Sequence, residues 1–218
     1  MTLGDMPKEL SVGYLLNQNM INRKDTIEAI DYDEDIEVVI VRTKRKTNYE
    51  KKLSKKIRTS GCAVGTVYGD MMEIFYDIRL NDETKVKSSW MRKISKNITE
   101  VPSLYLKAGA IHGCALCLND NILAYVEDVG RHNAVDKIAG WMFLNNIEGN
   151  DKIFYTTGRL TSEMIIKTVQ MEIPILLSRS GFTESGVNLA NEANLSLIGR
   201  MKGKRFILLS GSHRVIYD

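Results

Sequence analysis

Apolar and polar positions change rhythm along the chain. Pro7 to Leu16 has apolar residues at 10, 12, 15 and 16 behind an early proline, and this predicts a short helix. Ile36 to Val41 is rich in Val and Ile and predicts a strand. Met71 to Leu80 alternates weakly. Ser88 to Ile98 places Trp90, Met91 and Ile94 on one helical face, and Pro102 marks a boundary near residue 100. Beyond it the pattern is more regular. Strands are expected at Ala108–Leu118, Ile122–Val126, Ile153–Tyr155, Ile173–Leu177, Leu195–Ile198 and Arg205–Leu209. Helices are expected at Ala134–Leu144, Ser162–Gln170 and Ser185–Ala193. Short apolar strands alternating with helices predict βα units on a partly parallel sheet. The expected organisation is therefore a small N-terminal α+β domain over residues 1–100 and an α/β domain with a mixed sheet over 101–218.

Composition narrows the class without changing this picture. Apolar residues make up 44% and charged residues 26%, close to ordinary globular values. No apolar run approaches the length of a membrane helix. Met1-Thr2-Leu3-Gly4-Asp5 has neither the basic flank nor the apolar core of a signal peptide. The three cysteines, Cys62, Cys114 and Cys117, do not make a disulfide framework and suit a reducing compartment, the cytoplasm. The net charge is +3, with the basic excess concentrated between Arg42 and Arg58. Such a run reads first as a solvated hairpin or loop, and second as an electropositive approach to an anion. Only Tyr49 interrupts it, so nucleic acid is not an expected partner.

Candidate chemistry sits after the strands. Arg131 follows the second strand of the regular half, Arg159 the third and Arg179 the fourth. Arg200 follows the fifth, with Lys202, Lys204 and Arg205 close behind. Ligands of open α/β sheets bind at the carboxyl ends of strands. If these strands are parallel, four guanidiniums share one crevice, and guanidinium forks suit phosphate oxygens. Gly130, Gly158, Gly181 and Gly199 let a ligand approach the backbone, and Ser162 and Thr183 are expected helix caps. The alternative is that Glu127, Asp128, Glu163 and Glu184 neutralise the arginines. No phosphate-binding glycine loop of the common nucleotide folds occurs.

His112, Cys114 and Cys117 have a spacing seen in zinc sites, and a deaminase-like zinc hydrolase is one reading. Strand periodicity opposes it, because Cys117 would face away from His112 and Cys114. The glutamate that such chemistry requires is also replaced by Cys114. No metal site is expected. Cys62 lies between Gly61 and Gly65, just after the basic run, which predicts an exposed loop and a reactive thiolate. His132 adjoins Arg131 and is a candidate proton donor or ligand contact. His213 carries no motif.

These residues resemble the FdhD family of formate dehydrogenase accessory sulfurtransferases over nearly the whole chain. The most specific block is Glu127-Asp128-Val129-Gly130-Arg131-His132-Asn133-Ala134-Val135-Asp136-Lys137. Gly158-Arg159, Ser162-Glu163-Met164, Lys167, Pro174, Ser178-Arg179-Ser180 and Thr183 match further blocks. The start resembles a point within the family pattern, after its usual N-terminal strands. The resemblance implies a second domain similar to the cytidine deaminase fold, a three-layer α/β arrangement. It implies a persulfide carried on Cys62, received from a cysteine desulfurase. The sulfur would pass to the molybdenum bis(molybdopterin guanine dinucleotide) cofactor of formate dehydrogenase. It implies cofactor contacts at His112, Arg131, His132, Asn133, Arg159, Arg179 and Ser180. It also implies them along Arg200, Met201, Lys202, Gly203, Lys204 and Arg205. A homodimer is one assembly compatible with it, and no membrane or nucleic acid partner is implied. Three departures stand out. The family's C-G-x-C loop is Cys62-Ala63-Val64-Gly65 here, its T-G-G is Ala108-Gly109-Ala110, and the phenylalanine expected near Arg200 is missing. The lost second cysteine motivates an alternative, a cofactor- or guanine-nucleotide-binding chaperone without sulfur transfer.

Overall fold

The computed structural model describes residues 1–47, 68–100 and 103–218. Helix α1 (Pro7–Asn17) begins on a proline, whose missing N–H costs nothing at a first turn. Strands β1 (Ile27–Asp33) and β2 (Val38–Thr43) form an antiparallel hairpin. Helix α2 (Tyr68–Asp77), strand β3 (Val86–Lys87), helix α3 (Ser88–Glu100) and helix α4 (Leu104–Ala108) follow. The regular half runs β4 (His112–Leu118), β5 (Asn121–Asp128), α5 (Arg131–Leu144), β6 (Ile153–Thr156) and α6 (Ser162–Gln170). It continues with β7 (Ile175–Ser178), α7 (Glu184–Glu192), β8 (Ser196–Lys202) and β9 (Arg205–Ser210), and ends in β10 (Val215–Ile216).

Six strands make the central sheet, in the order β5-β4-β6-β7-β8-β9. β6, β7 and β8 are parallel to one another, and β4 is antiparallel to both β5 and β6. β5 therefore runs the same way as β6, β7 and β8. The sheet is mixed, as the alternation of strands and helices predicts. Strand alternation sends side chains to two apolar cores. Cys114, Leu116, Phe154, Leu176 and Leu197 join Ile138 of α5, Ile165 of α6, Leu189 of α7 and Phe75 of α2. Ala115, Cys117, Tyr155, Leu177 and Ile198 join Val86 of β3 and Met91, Ile94 and Ile98 of α3.

Two glycines bring α1 onto α5. A methyl group at Gly13 would overlap the Asp136 carbonyl, and one at Gly140 would overlap the Glu9 carbonyl. The chain end is tied down as well. Arg214, fully buried, donates to the carbonyls of Asn81 (2.9 Å) and Asn194 (2.6 Å) and to Asp82 (2.9 Å). The Asp218 carboxylate accepts from Ser89 N–H (2.9 Å) and both Ser88 and Ser89 hydroxyls, capping α3. Those Ser89 and Ser88 hydrogen bonds pull its pKa down to about 2.

Several expectations are corrected. Met71–Leu80 lies largely in the helix α2, which sends Phe75 into the core with Met72 and Ile78 packed beside it, about one residue per turn rather than alternate ones. β1 was not expected, because Glu28, Asp31 and Asp33 occupy its outward positions. The strand expected from Ala108 begins only at His112, since α4 ends at Ala108 and Gly109 turns with a φ of 65°. Ser162 does not cap α6. Thr161 precedes that helix, whereas Thr183 does cap α7 by accepting from Gly186 N–H at 3.1 Å. Pro102, which marked the boundary expected near residue 100, lies outside the described residues.

Candidate functional site

The topology places the carboxyl ends of β5, β6, β7 and β8 and the start of β4 along one edge of the sheet. Arg131, Arg159 and Arg179 follow three of these strand ends, and Arg200 lies within β8 near its end rather than after it. Short hydrogen bonds fix each turn there. The Asp128 carboxylate accepts from Gly130 N–H and Asn133 Nδ2, both at 2.9 Å, and sets the start of α5. Thr156 Oγ1 accepts from Gly158 N–H at 3.0 Å. The Ser178 hydroxyl donates to the Gly158 carbonyl (2.7 Å) and accepts from Ser180 N–H (2.9 Å). Arg200 N–H donates to the Ser180 carbonyl at 2.9 Å. The loops after β6 and β7 and the end of β8 are thus stitched to one another.

Arg131 and His132 sit in the first turn of α5, not in a turn before it. The stem of Arg131 crosses Gly158, where an added methyl would lie 3.1 Å from Arg131 Cβ. Arg159, Arg179 and Arg200 are exposed. Arg179 lies over the Tyr105 ring at 5.7 Å. Arg200 adopts the left-handed region at a φ of 51°, within an irregular stretch of the β8–β9 pairing. A non-glycine residue there is strained, which is common at functional sites. Lys202, Gly203, Lys204 and Arg205 form the exposed β8–β9 hairpin tip at the same end, while Met201 is buried.

Three of the four carboxylates expected to neutralise the arginines have other partners, and the fourth, Glu184, is exposed. Glu127 accepts from the Leu104 and Tyr105 amides at 2.9 Å each. Asp128 pairs with Lys137 at 2.7 Å, and Glu163 with His132 Nε2 at 2.9 Å. Among the described residues, Arg159, Arg179 and Arg200 have no carboxylate within ion-pair distance. Guanidiniums left without counter-charge at strand ends suit a polyanion.

Two imidazoles complete the edge. His112 Nδ1 and His132 Nδ1 are buried and have no partner among the described residues. Burial lowers the His112 pKa, and the positive charges of Arg131, His132 and Arg159 lower it further, so these groups lie near one another. The folded protein therefore binds this proton less readily than the unfolded chain, whose histidine titrates near 6.5. The contribution of His112 to stability is full above that value and is lost as the pH falls below it. Urea unfolding at pH 7.5 and 5.5 checks this. Wild type should lose more stability on acidification than His112→Gln, and equal losses would refute it.

Asn133 spends its Nδ2 donors on Asp128 and on the Met1 carbonyl (2.9 Å), so it braces the turn. Cys114 and Cys117 enter different cores on opposite faces of β4, and the three-residue zinc set cannot converge. Burial pushes both thiols up to about 12. The His132–Glu163 pair and Tyr105 were not foreseen. The pair had only one signal, an acid in the first turn of α6. Cys62, with the basic residues from Lys51 to Arg58, lies outside the described residues.

A model of the FdhD/NarQ family matches residues 1–216. The chain is 26% identical over 212 residues to a sulfur carrier protein FdhD of Bacillus pumilus, covering 97% of this chain and 81% of that one. It is 31% identical over 217 residues to a sulfur carrier protein FdhD of Saccharolobus solfataricus, covering 98% and 81%. A crystal structure described as a formate dehydrogenase accessory protein from Desulfotalea psychrophila superposes with a TM-score of 0.79. It shares 26% identity and covers 99% of this chain and 82% of that one.

Proposed function

Since the chain belongs to the FdhD/NarQ family, we propose that it is a sulfur carrier for the maturation of formate dehydrogenase, acting in the cytoplasm. Cys62 takes sulfane sulfur from a cysteine desulfurase and holds it as a persulfide. The molybdenum bis(molybdopterin guanine dinucleotide) cofactor is the acceptor, bound for the transfer at the strand-end edge. The names of the relatives support the sulfur-carrying part of this reading, and the name of the structural neighbour supports the enzyme served.

The observation that carries the binding half is the set of exposed guanidiniums without carboxylate partners, Arg159, Arg179 and Arg200, beside two unpartnered buried imidazole nitrogens. A ligand with two pyrophosphates and two guanines supplies both anionic oxygens and hydrogen-bonding edges. Arg159, Arg179 and Ser180 would hold one pyrophosphate, and Arg200 with the Lys202–Arg205 tip the approach of the other. The layers of helices on both faces of the sheet agree with the likeness to the deaminase fold. Gly65 favours a second reading, escort of the cofactor without sulfur chemistry, because one thiol cannot resolve a persulfide as an internal disulfide.

GDP binding by calorimetry tests the site. Arg159→Ala and Arg179→Ala should each weaken binding about tenfold, about 1.4 kcal/mol, as expected for a charged hydrogen bond to phosphate. Lys24→Ala, at an exposed position on the β1 side of the molecule, should bind as wild type does. Equal affinities in all four proteins would remove the proposal.

A further inference from the structure

Arg179 is the residue directly after β7 and stands exposed at the strand-end edge. Its guanidinium lies over the half-buried Tyr105 ring, 5.7 Å from the centroid. Tyr105 belongs to α4, and a chain of short hydrogen bonds delivers it there. The Glu127 carboxylate accepts from the Leu104 and Tyr105 amides at 2.9 Å each and so anchors the start of α4. The Tyr125 hydroxyl donates to Glu127 Oε1 at 2.9 Å. Tyr125 in turn crosses Gly113, where an added methyl would come 2.5 Å from the hydroxyl oxygen. These contacts run from β5 to the loop after β7, although β4 and β6 separate those strands in the sheet. Burial raises the pKa of the Tyr155 hydroxyl on β6, and Arg179 and Tyr105 both act on it, so the three groups lie near one another.

We propose that Tyr105 is a positioning residue of the anion site: its ring holds the Arg179 guanidinium by one face and leaves the N–H fork free for a phosphate of the ligand. This rests on the reading of the strand-end edge as a polyphosphate site. A carboxylate beside Arg179 would occupy the N–H donors that a phosphate needs. An aromatic face attracts the cation through the ring quadrupole and competes for none of them. The need for a hold is local. Arg200 Nη2 lies 4.0 Å from where a methyl on Gly181 would sit, and Arg200 N–H donates to the Ser180 carbonyl at 2.9 Å. The three residues 179–181 therefore carry one guanidinium and receive another. Like charges would drive an untethered Arg179 side chain towards solvent, and a ligand would have to order it again on binding. Tyr105 removes part of that cost before the ligand arrives. It acts through Arg179, and the ring rather than the hydroxyl does so.

Calorimetry with pyrophosphate tests this, because that probe has no base for a ring to stack on. Tyr105→Leu should weaken pyrophosphate binding about threefold, the size of an exposed cation–π contact. Tyr105→Phe keeps the ring and should retain wild-type affinity. In an Arg179→Ala background, Tyr105→Leu should cost nothing further, a coupling that a merely structural role would not show. GDP should follow the same pattern. Undiminished pyrophosphate binding by Tyr105→Leu, an equal loss in Tyr105→Phe, or the same loss with and without Arg179 would overturn the assignment. A loss confined to GDP would also overturn it, since the ring would then meet the base. If Tyr105→Leu does not fold, proton spectra of wild type decide. Arg179 side-chain protons shifted by the ring, before and after pyrophosphate binds, would support the proposal, and ring shifts lost on binding would overturn it. If wild type binds neither pyrophosphate nor GDP, the polyphosphate reading itself falls and takes this assignment with it.

Discussion

Cys62→Ser will abolish sulfur transfer while leaving GDP affinity within about twofold of wild type. The chain has three cysteines, and two of them cannot substitute. Cys114 and Cys117 are fully buried in β4, on opposite faces of the sheet. Burial raises both thiols to about 12, and Cys114 is further engaged with Thr156 Oγ1 at 3.4 Å. With a pKa of about 12, roughly one in 10⁵ of such thiols is ionised at pH 7, and the thiolate is the form that accepts sulfur. A serine hydroxyl at position 62 holds no sulfane sulfur. Transfer should therefore fall by at least about a thousandfold rather than partially. Labelled sulfane sulfur from a cysteine desulfurase gives the readout, by protein-bound label and by label passed to the cofactor. Native alkylation with iodoacetamide should mark one cysteine in wild type and none in Cys62→Ser. Persistent transfer by Cys62→Ser would end the carrier role. Unchanged GDP binding with no transfer in wild type either would favour the escort reading drawn from Gly65.

The arginine edge was legible because it is written locally. Arg131, Arg159 and Arg179 each follow their own strand within a few residues and Arg200 lies near the end of β8, so only the strand directions were needed to bring them together. The order β5-β4-β6-β7-β8-β9 supplies those directions. The neutralising carboxylates were not legible, because their partners are set by packing. Glu127 and Asp128 look like neighbours of Arg131 along the chain. One instead holds the amides of Leu104 and Tyr105, and the other is buried beneath α5. Glu163 finds His132 across the gap between two helices. Elements failed where side-chain rhythm is ambiguous. The small residues from Ala108 to Ala110 read as buried strand, yet Gly109 and Ala110 are exposed and the backbone turns there. Met71, Ile74, Phe75 and Ile78 have the spacing of a helix, but the adjoining Met72 and Tyr76 blur it into weak alternation, and packing of Phe75 decides for helix.

Lys137→Met should cost about 3–5 kcal/mol, the cost of removing one partner from a buried ion pair. That is a large part of the roughly 5–15 kcal/mol that holds a domain together. Lys137 and Asp128 are both fully buried, 2.7 Å apart. The ammonium also donates to Asp5 (2.6 Å) and to the Glu127 carbonyl (2.9 Å). Burial pushes the Asp128 carboxyl up, but Lys137, Thr2, Gly130 and Asn133 together outweigh it and hold the pKa below its usual value. Without the ammonium, burial wins, and the variant must either bury an unpaired charge or protonate. Asp128→Asn in the same chain removes that charge and still accepts from Gly130 N–H. The double variant should recover at least about half of the loss, a coupling that contacting residues show and distant ones do not. Urea unfolding of the two single variants and the double one measures it, and additive losses would refute the argument. The consequence reaches the site, because the turn that Asp128 shapes is the one that delivers Arg131 and His132. Lys137→Met at temperatures where it stays folded should therefore bind GDP more weakly than wild type. Within the run from Glu127 to Lys137, the acids and the lysine build the frame, and Arg131 and His132 are what the frame presents.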